Sequence, residues 1–391
     1  MSAYREAVLR SPYVLAALAD AALPRVQPRS VVALPTRVTD KYQQARVESS
    51  DGQPWTVRVS RNAAAAAAAE QAGSFTRLLA KRVPFAVPVA EGRMTLADRN
   101  LVTVAPQLPG DPMVWRGLTG GSREAIEVGR ALAALHDVDP RVADEVGVPS
   151  YDCDGYRSRR LAILDRAAGT GLVPSALLAR WERALEEVSL WRFPTCVTHG
   201  PLEGHDVFWG SDKVCAIASW ENAAVCDPAD DFAALWVLAP SEAFDTVLES
   251  YSAVRTEAPD KHLERRIRLS AELQRITVLL DAVAADDDAL IDRRAAALRR
   301  LNEQTSGDES LMPAPPRRSR AVTADQLDEL AGEDSVDVDS ASPEPDVRDD
   351  DFAATDAVTT DARTTDTSAE DEQHLRDDDT VEMQIKRDPK N

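Results

Sequence analysis

The segment that most constrains the fold is Cys196–Phe232, CVTHGPLEGHDVFWGSDKVCAIASWENAAVCDPADDF. It holds two short apolar runs that read as buried strands, one ending at Thr198 and one spanning Lys213–Ser219. Each run stops at a polar cluster. His199-Gly200-Pro201 with Glu203, His205 and Asp206 follows the first, and Ser219-Trp220-Glu221 with Asp227-Pro228 follows the second. Strands hold geometry while the loops after them carry reactive groups, so this is where a site is expected.

The surrounding chain is long enough, at 391 residues, for two packed units. The net charge of −21 is uneven: from Thr305 onward there are 25 acidic and 9 basic residues, leaving residues 1–304 near balance. No basic stripe is present, which argues against a nucleic-acid partner. No apolar run reaches the roughly 20 residues of a membrane span. Tyr13–Leu23 is interrupted by Asp20 and reads as an amphipathic helix rather than a signal peptide. Cys153, Cys196, Cys215 and Cys226 form no CxxC pair and read as reduced thiols of a cytoplasmic protein.

Taken in order, Ser11-Pro12 opens a helix that Pro24 ends. Strand-like runs follow at Ser30–Leu34, Tyr42–Ser49 and Trp55–Val59, the last two joined by an Asp51-Gly52 hairpin turn. Arg58 lies inside the third run. It is either a solvent-facing strand residue or a cation aimed into a phosphate pocket. Asn62–Leu79 is a helix with seven consecutive alanines, and its single acid, Glu70, is either an ion-pair partner for Arg58 or an ordinary surface-helix acid. Extended Val83–Pro88 and a strand at Asn100–Val104 complete a β-rich unit over residues 1–106. A Pro/Gly-rich connection near Pro106–Pro112 leads into a mainly helical unit over 107–304.

Helices are expected over Ser122–His136, Tyr156–Ala168, Pro174–Leu190, Ala229–Ala239, Glu242–Val254, Pro259–Ala285 and Ala289–Asn302. Residues 305–391 are too acidic and too poor in large apolar side chains to bury a core, and are expected to be disordered. Within them, Ala324–Ala331 reads as a short helix, and Thr380–Lys386 is locally apolar, either an unordered end or a peptide for a protein partner. The Thr-Asp pairs of Thr355–Thr367 would suit an acid-directed kinase.

The central segment resembles the signature of the aminoglycoside phosphotransferases, HGDLxxxxV…IDWxxAxxxDPxxDLA. The macrolide phosphotransferase branch is the nearer resemblance. Its WVLRIPRR-like strand is matched by Trp55–Arg61, its LPFAVP run by Val83–Pro88, and its ALAALH segment by Ala131–His136. The matches run in consistent order over about 10–304. The resemblance implies an α+β, bilobal protein-kinase-like fold. It also implies an ATP or GTP site with Mg between the lobes, and phosphoryl transfer to a hydroxyl of a small molecule. That chemistry rests on positioning, a carboxylate for the hydroxyl, and metal on the phosphates. In this context Arg58 and Glu70 are the residues expected to face a nucleotide.

The sequence departs from the pattern where the chemistry lies. Pro201 occupies the position of the HGD aspartate and Ser219 that of the IDW aspartate. Asp206 takes the place of the Asn or His metal ligand, and is the metal-ligand candidate here. His199, Asp227 and Asp231, the family's framework, are kept. Glu203, Asp206 and Glu221 are the acids available as replacements. The expected protein is a phosphotransferase-fold pseudokinase with a binding or regulatory role, holding a nucleotide or small molecule weakly or none at all, with its acidic tail directed at a protein partner. The alternatives are an active O-phosphotransferase using replacement residues, and a protein that sequesters a ligand.

Overall fold

A computed structural model describes residues 9–36 and 40–312, and the backbone of 383–384. The short helix expected at Ala324–Ala331 and the Thr-Asp pairs of Thr355–Thr367 lie outside the described residues.

The smaller lobe is an antiparallel sheet with a helix on each side. Helix α1 (Pro12–Ala22) begins where the Ser11 hydroxyl accepts the Val14 amide, with proline in its first turn. Strands β1 (Pro28–Ala33), β2 (Tyr42–Ser49), β3 (Pro54–Ser60), β4 (Gly92–Thr95) and β5 (Leu101–Pro106) order as β1-β2-β3-β5-β4. Period-two alternation divides the sheet into two faces. Ala45, Val47, Val57, Val59, Val102 and Val104 pack under Leu15, Ala16 and Ala19 of α1. The opposite face turns Gln44, Arg46, Thr56, Arg58, Thr103 and Ala105 toward the second lobe. Met383–Gln384, within the locally apolar Thr380–Lys386 peptide, pairs antiparallel with Ser30 and Val31 on the outer edge of β1.

Helix α2 (Ala63–Leu79), capped by Asn62, spans the gap between the lobes. Phe75 and Leu79 sit in the main core, and Phe75 meets Trp220 at 6.0 Å between ring centroids. The larger lobe has two packed groups. Helices α3 (Arg123–His136), α7 (Ala229–Leu238) and α8 (Ser241–Val254) share a core with the central segment. Helices α5 (Cys153–Ala168), α6 (Ser175–Glu186), α9 (Leu263–Ala284) and α10 (Asp288–Gln304) form the other.

The two apolar runs of the central segment do not pair with each other. Strand β7 (Cys196–Thr198) pairs with β10 (Ala224–Cys226), and β8 (Val207–Gly210) pairs with β9 (Lys213–Ile217) on one edge and the short β6 (Asp111–Pro112) on the other. Strands β8 and β10 are too short to announce themselves by alternation. The folded part also runs on past Gln304: Leu311 is buried and the Asp308 carboxylate lies 2.9 Å from Arg180. A single apolar side chain and one ion pair are lost in the average composition of an acidic stretch. All four cysteines are free thiols, and no helix among the described residues is long and apolar enough to cross a membrane.

Arg266 on α9 is only 1% exposed and ties the segment after the central one to the helices. Its Nε–H donates to Asp227 at 2.8 Å, its two terminal nitrogens fork onto Asp260 at 2.8 and 2.7 Å, and it stacks on Phe193 at 3.9 Å. Burial alone would raise the Asp260 pKa, but the hydrogen bonds and charge of Arg266 outweigh it and hold that carboxyl below its usual range. Arg266→Ala leaves Asp227 buried without its counter-charge and is expected to destabilise the fold by about 3–5 kcal/mol. The exposed Arg93 provides the control: Arg93→Ala should change stability by no more than about 0.5 kcal/mol. Urea unfolding of both variants checks this.

Candidate functional site in the cleft between the lobes

The loop after β7 is held by one carboxylate. Asp231, in the first turn of α7, is 1% exposed. Its oxygens accept the His199 amide at 2.9 Å, the Gly200 amide at 2.7 Å and the His136 Nε2–H at 3.0 Å. The other nitrogen of His136 lies 2.9 Å from the Tyr251 hydroxyl, so α3, α7 and α8 all brace the loop. Gly200 adopts φ +98°, and a Cβ there would stand 2.8 Å from Asn222 Cβ, so only glycine fits. The His199 side chain donates from Nε2 to the Ala218 carbonyl at 2.7 Å and meets Trp220 edge-on at 4.9 Å. The loop after β7 and the turn after β9 are therefore locked together.

Ser219, at that turn, is left-handed, with φ 63° and ψ 50°. Asp and Asn tolerate this conformation because their side chains hydrogen-bond locally, whereas serine has no such advantage. The turn is therefore one that an aspartate would adopt more readily than the serine present. Pro201 is exposed and brings no side-chain acceptor. Glu203 and Asp206 cap the next turn reciprocally, with the Asp206 carboxylate accepting the Glu203 amide at 3.2 Å. The Asp206 carbonyl accepts the Ala218 amide at 2.8 Å, again joining the two loops. Burial, with a smaller contribution from Asp206, pushes the Glu203 carboxyl above its usual pKa, against the opposing effect of His205.

Arg58 does not meet Glu70. Its Nη1 donates to Glu221, and its guanidinium stacks 3.5 Å from the centre of the Tyr42 ring. The expected Arg58–Glu70 pair fails because of helix phase. Ala69, Ala72, Gly73 and Thr76 form the stripe of α2 that lines the cleft, and Glu70 falls outside it. Glu70 is exposed and lies 4.0 Å from Arg93 instead. Burial and then the nearby Glu221 carboxylate push the Tyr42 hydroxyl up to about 12, against Arg58. Neither the Tyr42 stack nor the Glu221 pairing has a sequence signal, since both join residues from separate elements. Glu221 is 163 positions from Arg58 along the chain and adjacent only in space.

Arg58, Glu221 and the Ala69–Thr76 stripe line a cavity of about 190 Å³ under the sheet, with Leu34, Pro88, Ala90, Leu108 and Phe208 as its apolar walls. A family model described as the APH phosphotransferase enzyme family matches residues 40–265, more than half of the chain. The chain belongs to the phosphotransferase enzyme family. Among solved structures, the apoenzyme of macrolide 2'-phosphotransferase MphH from Brachybacterium faecium is 26% identical, with a TM-score of 0.62, covering 73% of this chain and 98% of that one. A macrolide 2'-phosphotransferase type I is 24% identical, with a TM-score of 0.62, covering 74% and 98%. The GDP and kanamycin complex of APH(2")-IIIa shares the fold at 16% identity, with a TM-score of 0.64, covering 74% and 98%. No curated protein matches the sequence.

The phosphotransferase fold implies a metal on the nucleotide phosphates, and the acids nearest this cleft each already have a protein partner. Mg²⁺ sites are built on carboxylates. Ser219 offers a hydroxyl, Glu221 is engaged by Arg58, and Asp206 accepts a backbone amide. Among the described residues, no group of three or more His, Cys, Asp or Glu side chains is placed to hold a metal ion.

The raised Glu203 pKa has a readable consequence. The folded state binds that proton more tightly than the unfolded chain does, so the stability it contributes is present at low pH. It is lost as pH rises from about 4.5 through the higher folded-state value. Glu203→Gln removes this loss: the variant should gain stability relative to the parent between pH 4.5 and neutrality, and match it below. Urea midpoints across that range check the sign.

Proposed function

We propose that this phosphotransferase is a pseudoenzyme: it keeps the family's frame and cleft, has lost phosphoryl transfer, and acts by binding. Pro201 carries this reading. It stands in a loop whose geometry is held by Asp231, at the position where the family signature has its hydroxyl-orienting aspartate, and proline can neither accept a proton nor hydrogen-bond an incoming hydroxyl. Ser219 removes the second carboxylate, and phosphoryl transfer depends on positioning and charge neutralisation that these two groups would supply. Loss of one such group costs about two to three powers of ten in rate, and loss of both leaves little to measure. By its charge and composition, the acidic tail is the segment of this protein best suited to a protein partner.

One observation favours a second reading. Glu203, two residues after Pro201, has a carboxyl whose pKa is raised by burial, which is how a general base is poised. In that reading Glu203 takes the hydroxyl proton and Asp206 binds the metal, giving an active ATP- or GTP-dependent O-phosphotransferase acting on a macrolide- or aminoglycoside-like alcohol.

The experiment follows transfer from radiolabelled ATP and GTP to a macrolide and to an aminoglycoside, with Mg present. The expected result is no product above the protein-free background, unchanged in Asp206→Ala and Glu203→Gln. Product that disappears in either variant overturns the pseudoenzyme reading in favour of the second.

A further inference from the structure

The backbone of β1 is set by its inner neighbour. The Leu34 N–H donates to the Gln44 carbonyl at 3.0 Å, and Val32 and Ser30 stand opposite Arg46 and Glu48 in the same register. In an antiparallel ladder the pairs that exchange hydrogen bonds recur at every second residue, so Leu34, Val32 and Ser30 turn their N–H and C=O groups toward β2. Val31 and Ala33 lie between them and turn theirs to the outer edge. An open edge of this kind pairs with any extended chain that can complete it, unless charges, prolines or a covering segment protect it. Pro28 and Arg29 guard the start of β1, but Val31-Val32-Ala33 carries no charge and no proline.

Met383–Gln384 lies on this edge. Met383 stands opposite Val31 and Gln384 opposite Ser30, antiparallel to β1. Met383 is thus placed at an outward-facing position, where a strand laid along β1 exchanges hydrogen bonds, and Gln384 at the position between. The sequence around them is that of a strand: Val381, Met383 and Ile385 alternate with Glu382, Gln384 and Lys386. One acid and one base make Thr380–Lys386 neutral within a strongly acidic tail, so it meets no repulsion from Glu48 on β2. A strand this short holds weakly as a separate peptide. About 70 residues of the same chain join it to Met312, which makes its pairing intramolecular and raises its effective concentration.

We propose that the outer edge of β1 is a peptide-docking site that works by strand addition, and that its occupant is the chain's own Thr380–Lys386 segment, bound in cis. Backbone groups supply the affinity, and the alternating side chains fit the pleat. The contact returns the far end of the acidic tail to the small lobe, so a partner of that tail meets a closed loop rather than a free end. The site stands apart from the cleft and does not depend on whether the protein transfers phosphate.

Hydrogen exchange of the full chain, resolved to single amides, tests it with two proline variants. Met383→Pro removes an N–H that points at β1, whereas Gln384→Pro removes one that points away from it, where an edge strand tolerates proline. The Val31 amide should exchange at least about tenfold faster in Met383→Pro than in the parent, and within about threefold of the parent in Gln384→Pro. Val32 and Leu34, bonded to β2, should stay within about threefold in both variants. Free Thr380–Lys386 peptide at millimolar concentration should restore slow exchange to Met383→Pro. Equal Val31 exchange in the parent and Met383→Pro overturns the proposal, as does equal loss of protection in both variants. Protection in the parent that falls on tenfold dilution overturns binding in cis in favour of strand exchange between copies. In the parent protein, Ser30 and Gln384 should also show the close Hα–Hα Overhauser contact of a non-hydrogen-bonded pair. Its absence overturns the proposal whether or not the variants fold.

Discussion

Everything at the centre of the larger lobe depends on the buried carboxylate of Asp231. One side chain accepts two successive backbone amides of the loop and one histidine N–H. Those amides belong to an irregular segment with no helix or sheet to satisfy them, and leaving them unpaired in the interior would cost about 1–3 kcal/mol each. The arrangement fixes where the residue after Gly200 must stand, whatever that residue is. A frame of this kind is required for folding, which is why the loop keeps its geometry with Pro201 in it.

The second organising contact crosses between the lobes. In joining β3 to the turn after β9, the Arg58–Glu221 pair consumes the inner cation of the cleft and the carboxylate nearest to Ser219. A partly buried pair is most consequential through what it denies to other ligands, since its own net stabilisation is offset by desolvation. The Tyr42 ring covers the guanidinium and its hydroxyl is anchored on the Ala65 carbonyl at 2.9 Å, so the pair is held from the sheet and from α2 together.

Much of the architecture is legible in the sequence. Ser11, Asn62 and Ser122 announce helix starts because capping is local chemistry, and each does cap through its side chain. The Asp51-Gly52 turn and the strand-like runs Tyr42–Ser49 and Trp55–Val59 announce the hairpin for the same reason. The partner strands at Val207–Gly210 and Ala224–Cys226 are not legible, since runs this short carry no measurable period. Residues 305–312 are indistinguishable by composition from the acidic stretch that follows, because one buried leucine and one ion pair do not alter an average.

The motif residues divide in the same way. From its sequence alone, the chain shows its resemblance to the phosphotransferases, with Pro201 and Ser219 standing where that signature has aspartates, because identity at a position needs no coordinates. Which acid meets Arg58 is decided only by tertiary structure. Glu70 lies closer in sequence, but the phase of α2 turns it toward Arg93 and presents alanine and glycine to the cleft. Glu221 lies 163 residues away and reaches Arg58 because the His199–Ala218 and Asp206–Ala218 hydrogen bonds set the turn that carries it. Spacing along a chain reports local geometry, and the charge of a cleft between two lobes is a property of how those lobes are packed.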